Sequence, residues 1–233
     1  MKTRCWGVVP AAGVGRRMGV GIPKQYLPLL GRPLLDHSLG RLLSHPRLER
    51  VVVVLAEGDP FWPRCEYAKD PRILTAPGGA ERCHSVFNAL RVLTPLAAPT
   101  DWVLVHDAAR PCLRRSDLDR LITAVEADGT GGLLAVPVQD TLKQADGAGQ
   151  VMATLSRDAL WYAQTPQMFR LADLSQAIGQ ALAAGYAPTD EAQAMEAVGY
   201  RPLLVEGHAG NLKITRPEDL GLAAFFLSGE SPG

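Results

Sequence analysis

The stretch Cys5–Gly19, which reads CWGVVPAAGVGRRMG, decides the fold class of this chain. Its opening residues, Cys5–Pro10, form an apolar and β-branched run that predicts a short buried strand. A glycine-rich segment follows directly, at the carboxyl end of that strand, where open α/β sheets bind their ligands. This order favours a Rossmann-like α/β fold with a ligand site beside the loop.

The chain beyond this stretch alternates apolar runs with helix-like segments. The other predicted strands are Arg50–Leu55, Arg72–Thr75, Trp102–His106 and Leu133–Val136, and the predicted helices lie near Leu34–His45, Glu81–Leu93 and Asp117–Ala127. The runs VVVVLA at 51–56 and WVLVH at 102–106 are almost entirely apolar, which is typical of parallel strands buried on both faces. We therefore expect a mostly parallel open sheet with flanking helices and right-handed crossovers.

The pattern changes after Val138. Two extended segments, Asp140–Gln144 and Gln150–Ser156, flank the turn sequence DGAG at 146–149, which predicts a β-hairpin arm over about 138–158 that projects from the sheet. The remaining predicted elements are helices at Leu171–Ala184 and Thr189–Val198, a strand at Arg201–Glu206, an extended piece at Asn211–Thr215 and a last helix. Thr215 and Glu218 fit a capping box for that helix. With no repeat and no linker, residues 1–233 are expected to form a single domain.

Composition excludes several classes of function. Lysine and arginine together number 24, as do aspartate and glutamate, so no bulk charge would attract nucleic acid or an anionic membrane. The four cysteines have no paired spacing, which argues against a zinc site and against a disulfide framework. The chain starts without a signal-like apolar stretch, and no segment approaches about 18 uninterrupted apolar residues. We expect a soluble cytoplasmic protein with neither a nucleic-acid nor a membrane partner.

The glycine-rich loop has the features of a phosphate-binding segment. Its small residues are Ala11, Ala12, Gly13 and Gly15, which let backbone N–H groups approach phosphate oxygens. Arg16, Arg17 and Lys24 add three positive charges, a combination that suits a triphosphate. The loop is not a P-loop, because none of its glycines is followed by lysine, and Met18 stands where a dinucleotide fingerprint needs glycine. A surface turn with incidental arginines remains an alternative at this point.

Seven blocks of sequence, in order along the chain, carry a family resemblance. They are PAAGVGRRMGVGIPKQY at 10–26, GGAERCHSV at 78–86, VHDAARP at 105–111, PVQDTLK at 137–143, SRDALWYAQTPQMF at 156–169, TDEA at 189–192 and GNLKITRPEDL at 210–220. Together they resemble the 2-C-methyl-D-erythritol 4-phosphate cytidylyltransferases of the sugar-nucleotidyltransferase-like group. The resemblance implies that CTP and methylerythritol phosphate give the CDP-alditol and pyrophosphate, a step of the non-mevalonate isoprenoid pathway. It also implies a homodimer in which the β-arm completes the substrate pocket of the neighbouring subunit.

The resemblance implies a role for each matching residue. Arg17 and Lys24 match the catalytic clamp on the α-phosphate, and Asp107 matches the ligand of a Mg²⁺ ion. The nucleotide site is expected to comprise Ala11, Ala12, Gly13, Gly15, Gly79, Ser85 and Ala108. The alcohol phosphate is expected to contact Arg110, Lys213 and Thr165, with Thr141 and Arg157 supplied by the partner's arm. No general base is needed, because a phosphate monoester with a second pKa of about 6 is already ionised at neutral pH.

Several alternatives stay open on the sequence alone. Asp107 could cap a turn, Arg110 could be a structural loop arginine, and Lys213 could protect a sheet edge. Ala80 departs from the polar or acidic residue that the family often has beside the ribose, which bears on nucleotide selectivity. The rival functions are a cytidylyltransferase acting on ribitol 5-phosphate, a CTP-binding sensor without turnover and, third, a dinucleotide oxidoreductase.

Overall fold

The computed structural model describes residues 3–13 and 21–229. The strands in these ranges are β1 (Cys5–Pro10), β2 (Pro28–Leu29), β3 (Arg32–Pro33), β4 (Leu48–Leu55), β5 (Ile73–Pro77), β6 (Trp102–Val105), β7 (Gly132–Pro137), β8 (Leu142–Ala145), β9 (Val151–Leu155), β10 (Trp161–Arg170) and β11 (Leu203–Glu206). The α-helices are α1 (Leu34–Leu43), α2 (Arg82–Leu93), α3 (Arg115–Asp128), α4 (Leu171–Ala183), α5 (Glu191–Ala197) and α6 (Asp219–Ser228). Each predicted strand and helix is present, with bounds that differ by a few residues.

A seven-stranded sheet forms the centre of the molecule, in the order β11-β7-β10-β6-β1-β4-β5. The pairs β1–β4, β1–β6, β4–β5 and β7–β11 are parallel, whereas β10 is antiparallel to both of its neighbours. The expected mostly parallel α/β sheet is therefore confirmed. Because β1 lies between β6 and β4, the loop that follows it emerges near the middle of the sheet edge.

The valine run of β4 explains why helices cover both faces of the sheet. Successive strand side chains point to opposite faces. Val51 and Val53 accordingly pack in the core that contains the apolar faces of α1 and α3. Val52 and Val54 pack in the opposite core, with α2 and α4. All four valines are fully buried, as a strand in the interior of a two-sided sheet requires.

Strand β10 was not predicted from the sequence. It contains Pro166 and two buried glutamines, Gln164 and Gln167, which do not fit the apolar pattern of a central strand. The glutamine side chains are nevertheless paired: Gln164 donates to the carbonyl of His208, and Gln167 donates to Asp190 and accepts from the N–H of Ala192. The pairing of β10 with β7 is irregular between Ala163 and Gln167, and the proline lies in that irregular segment.

The capping box predicted for the last helix is wrong. Helix α6 begins at Asp219, and the carboxylate of Asp219, not that of Glu218, accepts hydrogen bonds from the backbone N–H groups of Thr215 and Arg216. The hydroxyl of Thr215 also donates to Asp219. The extended piece before this helix contacts the functional edge of the sheet, because the N–H of Ile214 donates to the carbonyl of Ala109.

The predicted arm is present as the antiparallel pair of β8 and β9. Its apolar side chains face outward: Val151 is 63% exposed and Met152 is 66% exposed. Both values are typical of surface residues, although neither side chain is polar. In the described ranges 3–13 and 21–229, we find no helix with the length and apolar character needed to cross a membrane.

Candidate active site

A cleft of about 390 Å³ opens at the carboxyl ends of the central strands. It is lined by Pro10, Ala11, Ala12, Gly13, Lys24, Gln25, Gly79, Ala80, Glu81, Arg82, Ser85, Asp107, Ala108, Ala109 and Lys213. These residues come from the end of β1, the 3-10 turn Lys24–Tyr26, the start of α2, the loop after β6 and the segment before α6. Open α/β sheets bind their ligands at this position.

The segment after β1 forms one wall of the cleft. The backbone N–H of Ala11 donates to Val54 and its carbonyl accepts from the Gln25 side chain at 2.5 Å, so both backbone groups are engaged within the protein. The N–H of Ala11 is therefore used within the protein, and its role at the nucleotide stays a prediction. The predicted residues Gly15 and Arg17 lie outside the described residues.

The start of α2 forms the opposite wall. The hydroxyl of Ser85 accepts a hydrogen bond from the N–H of Gly79 at 3.0 Å and donates to the carbonyl of Glu81 at 3.2 Å. Gly79 is required here, because a Cβ at this position would lie 2.3 Å from the Cβ of His84. This turn brings the amino terminus of α2 to the cleft, where the helix dipole favours an anion.

Asp107, in the loop after β6, is surrounded by three cationic side chains. Its carboxylate lies 2.8 Å from Lys213 Nζ and 3.2 Å from Arg82 Nε, with Arg110 Nε at 3.7 Å. Burial alone would raise the pKa of Asp107, but the attraction of Arg82 and Lys213 outweighs burial and holds the pKa well below its usual range. Asp107 is therefore ionised at any physiological pH.

Arg82 and Glu191 are site residues that the sequence analysis did not single out. Two guanidinium nitrogens of Arg82 contact the Glu191 carboxylate at 2.6 and 3.1 Å, and Glu191 is only 1% exposed. Burial opposes the charge of Arg82, but the attraction of Glu191 and Asp107 exceeds that effect and raises its pKa above the usual value. Both residues stand in the quoted blocks GGAERCHSV and TDEA, and each is the first residue of a helix. The sequence signal that could have identified this pair is a charged residue of opposite sign at the first position of each helix.

The donor set at the cleft fits a magnesium ion better than a transition metal. In the described part of the chain, no group of three or more histidine, cysteine, aspartate or glutamate residues could hold a metal. Mg²⁺ is usually bound through one or two carboxylates together with phosphate oxygens and water, so a single ionised aspartate beside an anion site suits it. Asp107 and Glu81 are the carboxylates among the described lining residues, and Asp107 is the one that the sequence predicts as the ligand.

The structure brings most of the predicted nucleotide-site residues into the cleft. Ala12, Gly13, Gly79, Ser85 and Ala108 all line it. The carbonyl of Ala108 accepts a hydrogen bond from the Ser38 hydroxyl at 2.9 Å, which holds this residue at the edge of the cleft. Lys24 and Asp107, which come from different loops, share the same cavity. The roles of these residues stay predictions.

The predicted alcohol-phosphate residues divide into three groups. Lys213 lines the cleft. Arg110 and Thr165 lie behind it: the Arg110 guanidinium donates to the carbonyls of Asn211 and Ala163, and Thr165 is buried. Thr141 and Arg157 are exposed on the arm and do not line the cleft. One chain alone therefore does not bring the arm residues to the cleft.

Comparison with known proteins agrees with this arrangement. The family model described as "IspD: 2-C-methyl-D-erythritol 4-phosphate cytidylyltransferase" matches residues 6–229. A protein of that name from Pseudomonas putida strain GB-1 is 57% identical over 216 residues, which cover 92% of each chain. A relative with the same name from Ectopseudomonas mendocina is 57% identical over 94% of each chain.

Solved structures give the same result. A crystal structure of 4-diphosphocytidyl-2C-methyl-D-erythritol synthase is similar with a TM-score of 0.84 and 40% identity, covering 97% of this chain and 100% of the other. The Francisella tularensis 2-C-methyl-D-erythritol 4-phosphate cytidylyltransferase is similar with a TM-score of 0.83 and 36% identity, covering 96% and 100%. The fold, the motif blocks and these matches agree along nearly the whole chain. The chain therefore belongs to the 2-C-methyl-D-erythritol 4-phosphate cytidylyltransferases, a family of nucleotidyltransferase enzymes.

Proposed function

We propose that this chain transfers CMP from CTP to 2-C-methyl-D-erythritol 4-phosphate, which releases pyrophosphate and forms 4-diphosphocytidyl-2-C-methyl-D-erythritol, in the non-mevalonate isoprenoid pathway. The observation that carries the proposal is the shared cleft in which Lys24, Asp107 and Lys213 meet the amino terminus of α2. A single domain, residues 1–233, carries the reaction.

The nucleophile is a phosphate-monoester oxygen of the alcohol phosphate. It attacks the α-phosphorus of CTP, and the bond from that phosphorus to the bridging oxygen of pyrophosphate breaks. Because the monoester is already ionised at neutral pH, no side chain has to remove a proton. The described residues that line the cleft fit this chemistry, since none of them is a histidine or a cysteine.

The main barrier is the approach of two anions and the charge of the in-line transition state. Lys24 lines the cleft at the end of the loop that follows β1, and we assign it and Arg17 to the α-phosphate. Arg82 and Lys213 add positive charge on the side of Asp107. In this cleft the cations and the α2 amino terminus stabilise charge where it develops.

Asp107 would hold Mg²⁺. When bound there, the ion supplies positive charge that neutralises the phosphate oxygens. Lys213 then has a second role, because its ammonium group, which pairs with Asp107 in the free chain, can turn to the incoming phosphate. The nucleotide contacts fall to Ala12, Gly13, Gly79, Ser85 and Ala108, mostly through backbone groups.

The arm supports a homodimer. Val151 and Met152 present apolar side chains to solvent, and burial against a second copy would remove that surface from water. Thr141 and Arg157 of the partner's arm then reach the alcohol phosphate, where Arg157 can form a bidentate contact with the monoester. The four cysteines are buried and form no disulfide, which suits the reducing cytoplasm. We propose no nucleic-acid partner and no membrane partner.

A panel of alditol phosphates tests the reaction. The purified chain is assayed with CTP and Mg²⁺ for pyrophosphate release, with methylerythritol 4-phosphate, ribitol 5-phosphate and no acceptor in parallel. We expect release with methylerythritol 4-phosphate at the highest kcat/KM. A preference for ribitol 5-phosphate would mean that the proposed acceptor is wrong and the cytidylyl transfer is right. CTP binding without pyrophosphate release in the presence of any acceptor would favour a CTP-binding sensor.

A further inference from the structure

A continuous set of hydrogen bonds, made by buried side chains next to the cleft, holds the loop Asp107–Arg110. The N–H of Arg110 donates to the carbonyl of Asp107, which closes a turn. His106 Nε2 lies 3.0 Å from the carbonyl oxygen of Arg110, at the end of that turn. His106 Nδ1 lies 3.0 Å from the Thr165 hydroxyl, which is itself 3.0 Å from the N–H of Asp107 at the start of the turn.

The direction of each bond follows from the chemistry of the partners. A carbonyl oxygen can only accept, so the proton of the imidazole lies on Nε2 and is donated to Arg110. In a neutral imidazole the other nitrogen is then an acceptor, so the hydroxyl of Thr165 donates to Nδ1. The lone pairs of that hydroxyl remain for the N–H of Asp107. Every donor in this set is matched to one acceptor.

Neither side chain of this set lines the cleft. His106 is fully buried and Thr165 is buried, so both act through the backbone of the turn. The turn carries two groups that the proposed function uses, the carboxylate of Asp107 and the backbone of Ala108. It also carries Arg110, whose Nε lies 3.7 Å from that carboxylate. A buried polar set with every member satisfied fixes one arrangement, and losing one member leaves its partner unpaired.

We propose that His106 is a positioning residue for the transfer reaction, and that it acts through Thr165 to fix the turn that carries Asp107 and Arg110. This inference rests on the proposed function. It also gives Thr165 a different role from the one expected from its sequence block: its hydroxyl is used inside the protein and orients Asp107.

Matched substitutions test the set. Thr165→Val keeps the shape of the side chain and removes both hydrogen bonds of the hydroxyl, whereas Thr165→Ser keeps them. His106→Leu removes both bonds of the imidazole, and His106→Asn can keep the acceptor toward Thr165. His45→Leu is the control, because His45 is an equally buried histidine that contacts Asp119, away from the cleft.

Steady-state kinetics with CTP and methylerythritol 4-phosphate give the decisive comparison. We expect Thr165→Val and His106→Leu to lower kcat/KM for the alcohol phosphate by roughly tenfold to a hundredfold, because small displacements of reacting groups have effects of that size. Thr165→Ser should stay near the wild type and His106→Asn should recover part of the loss. The double variant should lose little more than the worse single variant, because both residues act in one set.

A general loss of stability predicts a different pattern. In that case His45→Leu lowers the unfolding midpoint and the kinetics as much as the cleft variants do, and Thr165→Ser offers no rescue; either result overturns the proposal. If Thr165→Val folds and keeps the wild-type kcat/KM, the proposal is also wrong. Absence of pyrophosphate release by the wild-type chain would instead count against the proposed function.

Discussion

The cleft and the arm (residues 138–158) differ in whether their side chains find partners within the same chain. In the cleft, the buried carboxylates of Asp107 and Glu191 are both paired with the partly exposed Arg82 of the same chain. On the arm, apolar side chains such as Met152 lie in solvent. The buried charges of the cleft are thus paired within one chain, whereas the arm has the composition of a surface that is buried against another molecule. We infer that the two regions serve the same reaction from different subunits.

The largest expected effect concerns the stability of the cleft. Glu191→Gln removes the buried charge that pairs with Arg82, and we expect it to lower the free energy of unfolding by about 3 kcal/mol. Urea unfolding followed by circular dichroism measures the change. Glu196→Gln, on the exposed side of the same helix, is the matched control and should stay within about 0.5 kcal/mol. Equal effects of the two variants would mean that the ion pair does not stabilise the cleft.

Loss of Lys24 separates turnover from folding. Lys24→Ala should reduce kcat by a factor of roughly a hundred or more, about 3 kcal/mol of transition-state stabilisation, and should leave the unfolding midpoint close to that of the wild type. Pyrophosphate release measures kcat, and thermal unfolding measures the midpoint. Lys69→Ala, on the surface after β4, serves as the control and should retain full activity. An active Lys24→Ala variant would remove Lys24 from the catalytic clamp.

A charged residue introduced on the arm should weaken the dimer and leave CTP binding in the cleft unchanged. Met152→Asp should weaken the dimer by roughly tenfold to a hundredfold, as expected when a buried methionine is lost from an interface. Analytical ultracentrifugation across a concentration series measures the dissociation constant, and CTP binding should be retained. Ala148→Asp, in the exposed turn of the hairpin, is the control and should leave the dimer intact. A monomeric wild type at micromolar concentration would contradict this account of the arm.

The smallest expected effect is a dependence of stability on pH. Burial lowers the pKa of His45 below its unfolded value of about 6.5, although its hydrogen bond to Asp119 opposes the shift. The unfolded chain therefore binds the proton more readily, and the stability that His45 contributes above pH 6.5 is lost as the pH falls below it. His45→Gln should make the unfolding midpoint less sensitive to a change from pH 7.5 to pH 5.5. If the unfolding midpoints of the wild type and of His45→Gln change equally with pH, His45 is not the cause of the pH dependence.

The predictable parts of the fold are those in which local pattern and burial agree. The strand Cys5–Pro10 and the valine run of β4 could be assigned because continuous apolar residues suit a strand covered on both faces. Strand β10 could not, because Pro166 and the paired glutamines resemble a loop until their partners in distant segments are known. The capping carboxylate of the last helix was assigned to Glu218, one residue before the true acceptor Asp219, because two adjacent acidic residues can both reach the same backbone donors.

The candidate site was predictable to the extent that it follows the strand ends. Lys24 and Asp107 could be placed at one edge because both follow parallel strands of the same sheet. The contact of Arg82 with Glu191 could not, because it joins helices that are 109 positions apart and depends on how those helices pack. The engagement of Ala11 by Val54 and Gln25 is likewise a property of packing, which the sequence pattern does not contain.

Complementation between two inactive variants tests most directly whether the cleft of one subunit works with the arm of the other. Lys24→Ala and Arg157→Ala chains are mixed, allowed to exchange subunits and assayed at low methylerythritol 4-phosphate concentration. In a mixed dimer one site has an intact Lys24 and an intact Arg157 from the partner, so we predict recovery to about a quarter of the wild-type rate, since random pairing makes about half of the dimers mixed. A mixture no more active than the average of its two components would contradict the shared site.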